Sequence, residues 1–157
     1  MPATTTITPR IIEALYCEAL VLSDEVRASF ALAGRLGPAG TDDDLARVAL
    51  SCEGLRTTTR MMHALAWLLN HRAYLTGDLS EFQLHRYGRL TVDNSRADPE
   101  YISVIDAPTR ELIVATERFY KRLLRLDHGW RDGVSQTAPT GTAIARLRER
   151  LNFTFAK

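Results

Sequence analysis

Leu55-Arg56-Thr57-Thr58-Thr59-Arg60-Met61-Met62-His63-Ala64-Leu65-Ala66-Trp67-Leu68-Leu69 is the stretch that decides how this chain is read. It lies within a longer run, Asp42 to Gly77, that contains no proline and has Gly54 as its internal glycine. Leu45, Val48, Cys52, Leu55, Thr59, Met62, Ala66, Leu69 and Ala73 recur at alternating steps of three and four. That spacing is the seam of an amphipathic helix, not the alternation of a strand. Thr41 and the acidic Asp42-Asp43-Asp44 mark its start, and Gly77 marks its end. At 1.5 Å per residue the helix is about 50 Å long. Met61, Met62, Leu65, Ala66, Trp67, Leu68 and Leu69 cover most of the circumference of its second half, so other helices must cover it on more than one side. It is therefore expected to be the core helix of a bundle, near a subunit interface, with Met61, Met62, Leu65, Trp67 and Leu68 as core or dimer contacts.

Outward from this helix, the rest of the chain is also helical in pattern. Residues 1–8 carry a Thr-rich run and are expected to be disordered. Thr8-Pro9 reads as a cap followed by a first-turn proline. Ile12, Tyr16, Ala19, Leu22, Val26, Phe30 and Ala33 then form a helical stripe that ends in the glycines between Gly34 and Gly40. Ser80 caps a short helix from Glu81 to about Tyr87, and Leu90 to Pro108 reads as a connecting loop. Leu112, Ala115, Phe119, Leu123, Leu126 and Trp130 form the stripe of a third long helix, which Gly129 and Gly133 are expected to end. Residues 134–157 read as a linker and a short basic amphipathic tail carrying Ile144, Leu147 and Leu151. The expected fold is all-α: an antiparallel three-helix bundle over residues 9–133, with a short extra helix and a flexible tail.

A chain of 157 residues, 45% hydrophobic and 25% charged, suffices for one domain with a core. A formal net charge of +1 gives no general pull toward nucleic acid or membrane. No apolar run is long enough to span a bilayer and no leader-like start is present, so a cytoplasmic protein is expected. Cys17 and Cys52 sit in helical apolar patterns and are expected to be buried free thiols.

No specific catalytic constellation is present: no glycine-rich phosphate loop, GxSxG, HExxH or CxxC. His63 and His71 are about 12 Å apart along one helix, too far to share a metal, and each histidine is expected at the surface or its boundary. Neither an enzyme, a metal nor a cofactor is expected. Glu53, Arg56 and Arg60 form the most informative charged set, readable as an intrahelical ion pair or as an Arg fork for a partner's carboxylate. Arg118, Lys121, Arg122 and Arg125 lie on the outer side of the third helix, interrupted by Glu117 and Asp127. A solvated outer face is the commoner reading there; Arg118, Arg122 and Arg125 are also candidates for binding a partner protein, and nucleic acid is the alternative. A pocket near Arg56, Arg60 and His63 would favour a small-ligand binder.

Several stretches together resemble the alphaproteobacterial family named after the regulator of CtrA degradation, much of which is otherwise a domain of unknown function. They are Glu13 to Leu22 with Arg27; Cys52 to Met62; Ala66-Trp67-Leu68-Leu69 with Arg72-Ala73; and Glu117-Arg118-Phe119-Tyr120 with Arg122 and Leu126-Asp127. The likeness covers roughly residues 10–130 and is most specific from Leu55 to Arg72. It implies a dimeric three-helix bundle without enzymatic activity. It also implies an adaptor that helps deliver substrates to the ClpXP protease in the cell cycle, so ClpXP components or their substrates become expected partners.

Overall fold

In a computed structural model, which describes residues 7–36, 43–93 and 97–137, the chain forms five helices: α1 (Pro9–Leu36), α2 (Asp43–Thr76), α3 (Glu81–Tyr87), α4 (Pro99–Val104) and α5 (Ala107–Thr137). Among the described residues there is no strand. The start signal at Thr41-Asp42, residues 1–6 and the tail from 138 onward lie outside the described residues.

Local chemistry explains most of the boundaries. Thr8 caps α1, its hydroxyl and carbonyl accepting from the amides of Ile11 and Ile12, while Ile7 packs against the core. Gly77, at φ 86°, closes α2. Its amide donates to Tyr74 O and the Asp78 amide to Ala73 O, the Schellman pair of bonds. Ser80 and Gln83 form a capping box on α3. The expected loop at 90–108 instead contains α4, where Asp98 accepts from the Glu100 amide and Pro99 occupies the first turn. The Asp-Pro start signal was present in the sequence, but six residues are too few to show a periodicity.

α5 runs through both glycines expected to end it and reaches Thr137. Each glycine costs a helix about 1 kcal/mol. Here the residues between them are held by tertiary contacts: Trp130 meets the rings of His71 and Tyr74, and Arg131 bonds Asp127 and the His85 carbonyl. Its buried residues, Thr109, Ile113, Thr116, Phe119, Tyr120, Leu123 and Asp127, form a stripe rotated from the expected one, sharing Phe119 and Leu123 with it.

α1, α2 and α5 share the main core of Ile12, Leu15, Ala19, Met61, Ala64, Trp67, Leu68, Phe119, Tyr120 and Leu123, closed by Leu90 from the connection after α3. A smaller cluster, Ala49, Ile105 and Ile113, gathers Phe30 and the α4 residues Tyr101 and Ile102. No helix among the described residues is long and apolar enough to cross a membrane.

Candidate functional site

α2 sits in the fold rotated from its expected orientation. Its inner face is Ala49, Glu53, Thr57, Arg60, Met61, Ala64, Trp67, Leu68 and His71, all buried. The three-four seam faces outward: Val48 is 48% exposed, Leu55 71%, Met62 63% and Leu69 47%, with Thr59 and Ala66 exposed between them. Of the expected core set, Met61, Trp67 and Leu68 are buried and Leu65 is half-buried, but Met62 is on the surface. The cysteines also depart from expectation, both thiols being free but Cys17 exposed and Cys52 half-buried.

Arg60 of this face and Tyr120, Asp127 and Arg131 of α5 act together on one segment. Residues 85–93, running out of α3, are tied to α2 and α5 by four clamps. Arg131 Nη1 donates to the His85 carbonyl at 2.7 Å. The Leu90 amide donates to Asp127 Oδ2 at 3.3 Å. Tyr120 donates its hydroxyl to the Thr91 carbonyl at 2.5 Å. Arg60 Nε donates to Asp93 Oδ2 at 2.7 Å. The same groups are cross-linked within the core: Trp67 Nε1 donates to Asp127 Oδ1 at 2.9 Å, Arg60 Nη1 to Thr116 Oγ1 at 3.1 Å, and Arg131 Nε reaches both Asp127 oxygens at 3.1 Å. A buried charge is tolerable only when paired in this way.

Glu53 is buried and accepts from Arg56 Nη1 at 2.5 Å, so the expected intrahelical pair is present. Arg60, read as a fork for a partner, turns its guanidinium inward to Asp93, Thr116 and Glu117. Of the triple threonine, Thr57 is buried with its hydroxyl unpaired, whereas Thr58 and Thr59 face solvent. His71, expected at the surface or its boundary, is buried against Trp67, with ring centroids 4.0 Å apart, and its Nε2 has no hydrogen-bond partner. Burial pushes its pKa down to about 4, with Asp127 opposing that shift and Arg131 adding to it. Tyr120 is pushed up to about 12, first by burial and then by Asp93, while Arg60 opposes.

Beside the seam, α2 and the clamped segment enclose a half-open pocket of about 310 Å³. Leu55, Arg56, Thr59, Arg60 and His63 line one side, Thr91, Val92 and Asp93 the other, with Tyr120 from α5. Its two innermost polar groups are already engaged, Arg60 with Asp93 and Tyr120 with Thr91. A tyrosine whose proton is held this firmly is a poor general base. Among the described residues no three His, Cys, Asp or Glu side chains are grouped to hold a metal ion.

On α5, Arg118, Lys121 and Arg125 are exposed, while Arg122 pairs with Glu18 of α1. Arg72 likewise pairs with Glu13 and lies over the Tyr16 ring, 4.5 Å from its centroid. These two pairs lace α1 to α5 and to α2.

The chain matches the family described as a protein of unknown function, DUF1465, over residues 3–155, and belongs to that family. No curated protein and no solved structure matches it. The stretch singled out in the sequence as most specific, Leu55 to Arg72, supplies Arg60 and Trp67 to the clamp network. Sequence reasoning missed Asp127 and His71 as buried residues, and Asp93 as the partner of the buried Arg60. The available signal was Asp127, which follows Thr116, Tyr120 and Leu123 at helical spacing and so had to be either a break in the stripe or a buried, paired acid.

Proposed function

We propose that this protein is a non-enzymatic protein-interaction module: a cytoplasmic antiparallel bundle of α1, α2 and α5 that pairs with a second copy of itself and serves as an adaptor for other proteins. One observation carries this reading, the apolar seam of α2 turned outward along most of the helix. A chain that buries Arg60, Glu53, His71 and Asp127 while leaving Leu55, Met62 and Leu69 in water has reserved that surface for contact with protein. The likeness to the regulator of CtrA degradation family supports an alphaproteobacterial setting and a role in delivering substrates to ClpXP. The mechanism is tethering: the rigid pair holds one partner, and the tail beyond Thr137 raises the effective concentration of another.

Light scattering tests the pairing. A mass twice that of the 17.6 kDa chain is expected, and a single-chain mass at every concentration would overturn the reading. Pull-down with the full chain and with the tail removed tests the adaptor role; recovery of the same ClpXP components or substrates by both forms would remove the tail from the mechanism.

A second reading rests on the exposed stripe Arg118, Lys121 and Arg125, which favours nucleic acid. It predicts binding that weakens steeply with salt, and a flat fluorescence-anisotropy titration at low salt would dispose of it.

A further inference from the structure

We infer that the second copy lies antiparallel along α2, and that Met62 of each chain is seated in the pocket beside Thr59 of the other. This rests on the pairing proposed above and adds its direction, its register and its central contact.

The spacing supplies the first support. Alternating steps of three and four average 3.5 residues, the repeat that keeps one face of a helix turned toward a second helix over many turns. From Leu45 to Ala73 the outward face keeps this repeat without a break, over about 42 Å of helix. A helix turning only toward its own core has no need of so strict a repeat.

The sizes of the side chains supply the direction. One half of the repeat is large: Val48, Leu55, Met62 and Leu69. The other half is small at Cys52, Thr59, Ala66 and Ala73, with Leu45 at its first position the one large member. A parallel pair in register would set large against large in one layer and small against small in the next, leaving gaps in alternate layers. An antiparallel pair whose two-fold axis passes between Thr59 and Met62 sets Met62 against the partner's Thr59. The same register sets Leu55 against the partner's Ala66, Leu69 against the partner's Cys52, and Val48 against the partner's Ala73. Every layer then joins one large side chain to one small, which fills space evenly. The surface is self-complementary, as a two-fold interface requires.

The pocket is an independent observation at the same place. Leu55, Arg56, Thr59 and His63 of α2 line it, so its opening lies within one turn of Thr59. The side chain that the register brings to Thr59 is the partner's Met62, unbranched and flexible enough to fill an irregular hollow. The area is also sufficient. Covering Leu45, Val48, Leu55, Met62 and Leu69 at their observed exposures removes roughly 500 Å² per chain, and Ser51, Thr58, Thr59, His63 and Ala66 bring the contact toward the ~800 Å² per partner of a specific interface.

Thiol crosslinking of the full chain tests the direction. In a Cys17→Ser background, Cys52 of one chain lies about 25 Å along the helix from Cys52 of the other if the pair is antiparallel. A short thiol–thiol crosslinker then joins few chains. Adding Leu69→Cys, at an exposed position, places a second thiol opposite Cys52, and crosslinked dimer is expected to become the main product. Efficient crosslinking through Cys52 alone would mean a parallel pair and overturn the proposal. So would a dimer in light scattering that neither variant crosslinks, since another face would then be paired. A single-chain mass in light scattering would instead remove the underlying pairing. Met62→Ala tests the seat: the dissociation constant is expected to rise tenfold or more while Met62→Leu retains pairing. An unchanged constant for Met62→Ala would take Met62 out of the pocket.

Discussion

The inner face of α2 carries Glu53, Thr57, Arg60, Trp67 and His71, and its outer face carries Val48, Leu55, Met62 and Leu69. In a lone amphipathic helix the two sets would be exchanged. The inner polar groups are not idle, since Arg60 and Trp67 reach the network that holds residues 85–93 against the core. Such networks contribute less to net stability than apolar packing of the same volume, but breaking one side of a buried pair is costly. The outer face is the opposite: its side chains are left 47% to 71% exposed, so less of the fold depends on them. The contrast shows that apolar character along α2 does not by itself mark the face that is buried within the chain.

The strongest way to break this contrast is at Asp127, which is buried and accepts from Trp67, Leu90 and Arg131. Asp127→Ala strands three donors at once, and a loss of about 3–5 kcal/mol is expected, read as a lowered urea midpoint. Faster amide exchange at Leu90 should accompany it as the clamped segment loosens.

Acid attacks the same face through His71. Its folded pKa lies at about 4, below the ordinary 6.5. Between those values the unfolded chain binds a proton that the folded chain refuses. Stability is therefore full above pH 6.5, declines as pH falls toward 4, and is flat below that as far as this group is concerned, with roughly 3 kcal/mol lost across the window. Denaturant titrations at several pH values measure the slope, and His71→Phe should flatten it.

A charge on the outer face sharpens the comparison. Leu55→Lys should change the unfolding free energy of the dilute chain by no more than about 0.5 kcal/mol, as for other surface sites. It should also remove any dependence of the unfolding midpoint on protein concentration, which pairing would otherwise impose.

A similarly small effect, here a gain, is expected at Gly54, between the two faces. A Cβ there would stand 3.1 Å from a Phe30 ring carbon. Alanine favours the helix by about 1 kcal/mol over glycine, against which stands the cost of moving the half-buried Phe30 ring by a few tenths of an ångström. A net gain of about 0.5 kcal/mol, seen as a slightly higher melting temperature, is the expected result for Gly54→Ala.

The legibility of these features in the sequence follows the range of the interactions behind them. Pro9 and Gly77 bound their helices as read, and Ser80 caps α3, because caps and turns are set by neighbours within a few residues. The Glu53–Arg56 pair was also readable, being one turn long. Arg60 was not, because its acceptors on Asp93 and Thr116 lie 33 and 56 residues further on. Nor was Asp127, whose indole donor is 60 residues away. Both have the composition of surface residues until the pairing chains are brought together. The reading of Gly129 and Gly133 as the end of α5 failed for the same reason, since Trp130 and Arg131 are held from outside the helix.

The amino-acid sequence by itself determined that the chain is helical, where α1 begins, where α2 ends, where α3 begins and ends, and that α2 carries a seam with alternating steps of three and four. All of these follow from periodicity and capping, which act over a few turns. Only the tertiary structure decided which way that seam points. A helix with apolar side chains around most of its circumference has no strong preference for one face inward. The choice was made by distant partners: Asp127 for the Trp67 indole, Asp93 and Thr116 for the Arg60 guanidinium. Leaving those polar groups buried without partners would cost more than leaving Leu55 and Met62 in water.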